Sequence, residues 1–299
     1  MRISNSTMGS SLLEGLERIL KRLNSCQTQV ATTKRINKPS DDPAATAEVL
    51  RINSNLRANK QYLRNIQRAE GWLGVTENVL DQISSLLSGL RALAVQGASD
   101  TLGADDRQAL AHQVNQDLET LFGHSNTTFG GKYIFAGTRT RTAPYTATRD
   151  ASGQITAVSA SGENSGKILH QIGKTERLQV NVTGTELFES GIFATVIQLR
   201  DGLQANDTQA VGRAIEELDR HLNTVAELTS SVGAKVKRLQ LAENRAQDDS
   251  LVLTDMLSRA EDVDIVKAVS ELQREQAVYR AALAATAQII QPTLMDFLR

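Results

Sequence analysis

From the N-terminus, apolar side chains fall at Leu12, Leu16, Ile19, Leu23, Cys26 and Val30, in steps that alternate between four and three. That spacing is a heptad seam and predicts a helix that packs lengthwise on another helix. A second seam of the same kind runs near the other end through Ile265, Val269, Leu272, Gln276, Tyr279, Leu283, Thr286 and Ile290. A heptad stripe on a lone helix exposes apolar surface at a cost of roughly 25 cal/mol per Å², so each seam needs a partner, either the other chain end or a neighbouring subunit.

Each seam is set off by a break. After the first come Lys34-Arg35-Ile36-Asn37-Lys38 and the corner Pro39-Ser40-Asp41-Asp42-Pro43, where two prolines bracket an acidic, helix-capping pair. Asp42 as N-cap places Pro43 at the first helical position, where its missing N–H is harmless and its fixed φ is already suitable. Asp41 then falls outside the cap, positioned for the following segment or a basic partner. Before the second seam, Arg259-Ala260-Glu261-Asp262-Val263-Asp264 is acidic and cap-like. The seams lie beyond the Pro39 and Asp262 breaks, so they are expected to be separable from the interior and ordered by assembly.

The interior is helical in pattern. Val49, Ile52, Leu56, Leu63 and Ile66, then Leu80, Ile83, Leu87 and Leu90, predict one helix of about fifty residues and about 75 Å. Gly71-Trp72-Leu73-Gly74 interrupts its register and predicts a local bend or phase shift, with Trp72 as a packing residue there. A turn at Ser99-Asp100-Thr101-Leu102-Gly103 leads to an antiparallel helix from Ala104 to about Ser125, with Leu110, Val114, Leu118, Leu121 and Phe122 on its apolar side.

From about Asn126 to Ser190 the chain becomes rich in Gly, Thr and Ser. Tyr133-Ile134-Phe135 and Leu178 to Thr183 read as strands, and Asp150-Ala151-Ser152-Gly153 as the turn of a hairpin with arms Tyr145 to Thr148 and Gln154 to Ser159. Helix resumes at Ile192, Val196, Leu199 and Leu203, pauses at Asn206-Asp207-Thr208, and continues from Val211 to about Ser258. The fold class is therefore mainly α with a small β insertion: a long antiparallel helical rod with terminal coiled-coil helices. Residues 1–38 and 263–299 form the terminal assembly part, 39–128 and 191–262 the rod, and 129–190 the inserted β subdomain.

Composition agrees with rods more than with a compact enzyme, since only 4% of the 299 residues are aromatic. Lys and Arg total 33 against 34 Asp and Glu, with no basic block, which argues against nucleic acid. The single cysteine, Cys26, excludes an intramolecular disulfide and thiolate metal clusters, and its seam position makes it a packing residue. No run approaches the ~20 apolar residues of a membrane-spanning helix, and the polar start Met1 to Met8 lacks the apolar core of a cleaved signal peptide.

No catalytic constellation emerges, and no cofactor or metal is expected. His112, His124, His170 and His221 are scattered without ligand spacing and are read as solvated or capping. Gly173-Lys174-Thr175 fails as a phosphate loop because Ile168 occupies the first glycine position. Gly130-Gly131-Lys132 fails because Asn126 stands there and Tyr133 replaces the magnesium-binding hydroxyl. Asp41-Asp42 and Glu261-Asp262-Asp264 lack the loop spacing and central glycine of an EF-hand.

Met1-Arg2-Ile3-Ser4, the Lys34 to Pro43 segment and Leu90-Arg91-Ala92-Leu93-Ala94-Val95-Gln96 resemble the N-terminal half of the bacterial flagellin superfamily. Gly131 to Gly137 is similar to the start of its variable region, and Arg259 to Asp264 with Leu294-Met295-Asp296-Phe297-Leu298 resembles its C-terminal region. Thr33 departs from the pattern, since relatives commonly carry Gly before the Lys-Arg-Ile segment. The Met-Arg-Ile-Ser start, the Pro-Ser-Asp-Asp-Pro motif and the short insert resemble a subunit of the hook–filament junction more than the bulk filament subunit.

The resemblance implies a structural, non-enzymatic subunit, exported unfolded by the flagellar type III pathway with a chaperone at its C-terminal helix. It implies a location in the extracellular flagellum, as a ring of self-associated copies between the first hook-associated protein and flagellin. The bulk filament subunit, a cytosolic coiled-coil scaffold, and an enzyme hosted by the β insert stand as alternatives.

Overall fold

The computed structural model describes residues 5–99 and 101–295, with side chains described for 9–99 and 101–287. Met1 to Ser4, Asp100 and Asp296 to Leu298 of the motifs above lie outside the described residues, as does the side chain of Ile290. Among the described residues seven helices and six strands follow one another: α1 (Asn5–Thr32), α2 (Pro43–Gly97), α3 (Ala104–Ser125), β1 (Thr128–Phe129), β2 (Lys132–Tyr133), β3 (Tyr145–Arg149), β4 (Ile155–Ala160), β5 (Leu169–Gln171), β6 (Arg177–Gln179), α4 (Gly184–Leu187), α5 (Ile192–Gln204), α6 (Thr208–Glu261) and α7 (Ile265–Met295). They divide into two compact units. One comprises Met1–Ala58 with Asp249–Arg299, the other Asn59–Asp248.

The Asn59–Asp248 unit is built on one core. Leu73, Leu80, Ile83, Leu87 and Leu90 of α2 are fully buried, as are Val114, Leu118 and Leu121 of α3 and Val211, Leu218, Val232 and Leu239 of α6. These are the period-3.6 positions of three amphipathic helices, which bury their stripes together. Gly71-Trp72-Leu73-Gly74 does not interrupt the helix, since α2 is helical throughout. Gly71 serves packing: a Cβ there would lie 3.2 Å from the Phe129 ring, so the small residue admits β1 against the helix. Trp72 meets Phe129 edge to face at 6.2 Å.

Three antiparallel hairpins make up the insertion. β3 and β4 flank the expected Asp150 to Gly153 turn. The other two ladders are shorter than the sequence suggests. Ile134 and Phe135 leave the β1–β2 hairpin and bury themselves in the core instead of continuing the strand. Beyond Gln179 the backbone is irregular, and Asn181 replaces the ladder by accepting from Ile168 N at 2.8 Å and donating to Gly166 O at 2.8 Å. Gly130 and Gly131, with φ of 56° and 75°, form the two-residue β1–β2 turn, which demands left-handed backbone at both positions. Gly173 to Thr175 form the turn between β5 and β6, the extended-hairpin alternative to a phosphate loop.

Polar side chains close the gaps that the apolar pattern leaves. Arg107 is buried and donates to Gly97 O at 2.8 Å and Ser99 O at 2.7 Å, satisfying carbonyls where α2 ends. Arg200, also buried, donates to Ile155 O at 2.6 Å and Asn115 Oδ1 at 3.2 Å, tying α5 to β4 and α3. His221 corrects the expectation of four solvated or capping histidines. It is buried on the α6 stripe between Leu218 and Val225, with Nε2 3.0 Å from Thr195 Oγ1, and burial holds its pKa below the ordinary histidine value.

Candidate assembly interface at the paired chain ends

In the other unit, α1 and α7 lie against each other. The six α1 seam residues Leu12, Leu16, Ile19, Leu23, Cys26 and Val30 are all half-buried, while most of their neighbours are exposed. On α7, Val269, Leu272 and Tyr279 are half-buried and Ala268 is buried. The partner of each seam in this structure is thus the other chain end.

Two expected seam positions fall elsewhere: Ile265 and Leu283 are each 43% exposed. The α7 seam runs through Ala268, Leu272, Glu275, Tyr279, Ala282 and Thr286, so the small Ala282 faces inward where the bulkier Leu283 was expected. Within the seam, Glu275 lies 3.4 Å from Arg22 Nε. Burial, then Glu271 and Glu275, push the Cys26 thiol above its ordinary pKa, which keeps it a neutral packing residue.

The breaks beside the two helices are joined to each other. Thr33 O accepts from Val263 N at 3.1 Å and Arg35 N donates to Glu261 O at 2.7 Å, an antiparallel bridge pairing Lys34 with Asp262. Side chains repeat the link: Lys34 Nζ lies 2.6 Å from Glu261 Oε1, and Arg35 donates to Ala260 O at 3.0 Å and to Asp42 Oδ2 at 3.3 Å. None of these cross-chain roles is visible in local pattern; the only signal is that a basic break faces an acidic one in composition.

Asp42 caps α2 as expected, accepting from Ala45 N at 3.0 Å, and that backbone donor leads the causes that lower its carboxyl pKa. Asp41 turns backward, not toward the following segment: its Oδ2 accepts from Asn37 N at 3.1 Å and Lys38 N at 2.8 Å. Together the two aspartates fix the turn that carries the exposed Pro39 and Ser40 and set Pro43 at the first position of α2.

Thr33 ends α1 with a φ of 58°, left-handed backbone that a β-branched residue adopts only at a cost. Thr33→Gly is therefore expected to stabilise the corner by about 1 kcal/mol. Hydrogen exchange at the Val263 amide, which donates to Thr33 O, should slow about fivefold; unchanged or faster exchange would contradict the strain.

Pairing does not use up the apolar surface of these helices. Leu13 remains 63% exposed and Val266 79%, with Leu20, Ile265, Val278 and Leu283 also outward. A two-helix seam cannot enclose its residues as a multi-helix assembly does. Among the described residues there is no cluster of His, Cys, Asp or Glu suited to a metal, and no helix is long and apolar enough to cross a membrane.

Comparison with known proteins bears on both ends. Residues 3–140 match the model of the bacterial flagellin N-terminal helical region and residues 215–298 that of the C-terminal helical region. Flagellar hook-associated protein 3 of Salmonella typhimurium is 24% identical, with 94% of this chain and 95% of that protein covered. Its Escherichia coli namesake is 26% identical over 95% and 96% of the two chains. A flagellin of Halalkalibacterium halodurans is 27% identical over 96% and 92%. Among solved structures, the flagellar junction protein FlgL from Legionella pneumophila aligns with a TM-score of 0.59 at 17% identity, covering 73% of this chain and all of that one.

Proposed function

We propose a function from the premise that this chain belongs to the bacterial flagellin family: it is a structural subunit of the bacterial flagellum, of the kind that joins hook to filament. The observation that carries this is the match to hook-associated protein 3 over nearly the whole length of both chains. The family is one of structural flagellar proteins.

In mechanism, 1–38 and 263–299 form the inner, self-associating part of a ring, 39–128 and 191–262 the rod around it, and 129–190 an insert facing outward. Support for the inner part comes from the outward Leu13, Leu20, Val266 and Leu283, apolar surface that further copies would cover. The ring's axial neighbours are the first hook-associated protein on one side and flagellin on the other. The subunit reaches this place by type III export, escorted by a chaperone at the α7 end. A lone half-buried cysteine leaves no disulfide in its own chain to reduce before such passage.

Bulk flagellin is the second reading, favoured by the likeness to flagellins themselves. Deleting the gene separates the two. Hooks without filaments, with flagellin shed into the medium, are the expected result; a normal filament would overturn the junction reading.

A further inference from the structure

Within the Asn59–Asp248 unit, a cleft of about 520 Å³ opens between α2 and the β insertion, lined among others by Arg68, Trp72, Phe129, Lys132, His170 and Val180. Its lining holds three basic side chains and no carboxylate. Arg68 and Lys132 are exposed, and among the described residues neither has an ion-pair partner. Trp72 is only 9% exposed, and its indole nitrogen is closed to solvent. Basic side chains on the rim beside the exposed ring of Phe129 describe a receptor for a carboxylate carried on an apolar surface.

The chain itself presents such a surface. On α6, Asp249, Val252 and Met256 are spaced i, i+3 and i+7 and so share one helix face. Val252 is 55% and Met256 51% exposed, Leu251 beside them is 71% exposed, and Asp249 is exposed with no ion-pair partner among the described residues. A face that is acidic and apolar complements a cleft that is basic and apolar.

We propose that the cleft of one copy receives the Asp249 carboxylate of a second copy, with Val252 and Met256 seated beside it. This rests on the reading of the chain as a ring-forming subunit. It adds a contact between copies at the rod and insert, apart from the terminal helices.

Carbodiimide coupling of intact flagella, which joins a lysine amine to a carboxylate at contact, tests it. The expected product is a Lys132–Asp249 linked peptide in flagella that is absent from the purified monomer. Lys132→Arg, which keeps the charge but removes the amine that carbodiimide couples, should lose the link. Asp249→Lys should reduce the swimming halo severalfold, and adding Arg68→Glu and Lys132→Glu to the same chain should restore it. Lys132 coupled to a carboxylate elsewhere, or to another protein, would overturn the proposal, as would normal swimming of Asp249→Lys. If this chain is missing from flagella, the ring reading itself fails and this contact with it. If it is present without the link, only the contact fails.

Discussion

A chain carrying Leu23→Asp and Leu272→Asp is expected to be non-motile while its Asn59–Asp248 unit folds normally. Both leucines are half-buried on the α1 and α7 seams. Replacing each removes the roughly 1 kcal/mol of a half-buried Leu and sets a carboxylate on a surface that must stay dry. The damage is confined by position. Neither residue belongs to the core of α2, α3, α5 and α6, so the thermal transition of that unit should stay within a few degrees of the parent. Swimming in soft agar and circular dichroism of the purified protein read the two halves of the prediction. Normal swimming would remove the seams from any role in assembly, and loss of the main transition would show that the two units do not fold independently.

The opposite pattern is expected from Arg107→Ala. This guanidinium satisfies Gly97 O and Ser99 O and meets the Asn206 side chain, so it fastens the end of α2 to the turn before α6. Alanine leaves two backbone carbonyls without their charged donor in a place where Arg107 itself is 6% exposed. Hydrogen bonds to charged groups contribute about 1.5 to 3 kcal/mol each, and their loss is only partly offset by water entering the gap, so a destabilisation of about 3 kcal/mol follows. Denaturant unfolding of the purified protein measures it: the midpoint should fall with little change in slope. Arg107→Lys should recover only part, since one ammonium cannot reproduce the planar fork that reaches both carbonyls. A midpoint equal to the parent's would mean that the α2–α3 turn is held by other contacts.

These two residues mark what the amino-acid sequence makes legible. Leu23 and Leu272 belong to a local period, and a local period survives folding, because helices that share a core must each present one apolar stripe. The Asp42 cap with Pro43, the pause at Asn206 and the Asp150 to Gly153 turn are likewise local chemistry, and each lies where the spacing places it. Arg107 and Arg200 act on carbonyls brought near by the tertiary fold, and a lone arginine in an amphipathic helix carries no mark of that role.

What the pattern missed has the same origin. Gly71 reads as a bend or phase shift because glycine weakens an isolated helix, and its role of making room for Phe129, which follows it by 58 positions, is not local. Leu283 reads as seam because it is bulkier than Ala282, and within the α1–α7 pair it is Ala282 that faces inward. His221 lies on the α6 stripe at heptad spacing from Leu218 and Val225, a signal present in the sequence and outweighed by the neighbouring Leu222. Thr33 is different again: the family resemblance flagged the position, and its φ of 58° is left-handed backbone that glycine adopts freely.

Immunogold electron microscopy of intact flagella, with antibody against this chain, tests its place at the junction most directly. A single band of label where hook meets filament is the expected image. Label along the full length of the filament would contradict it and make the chain a bulk filament subunit.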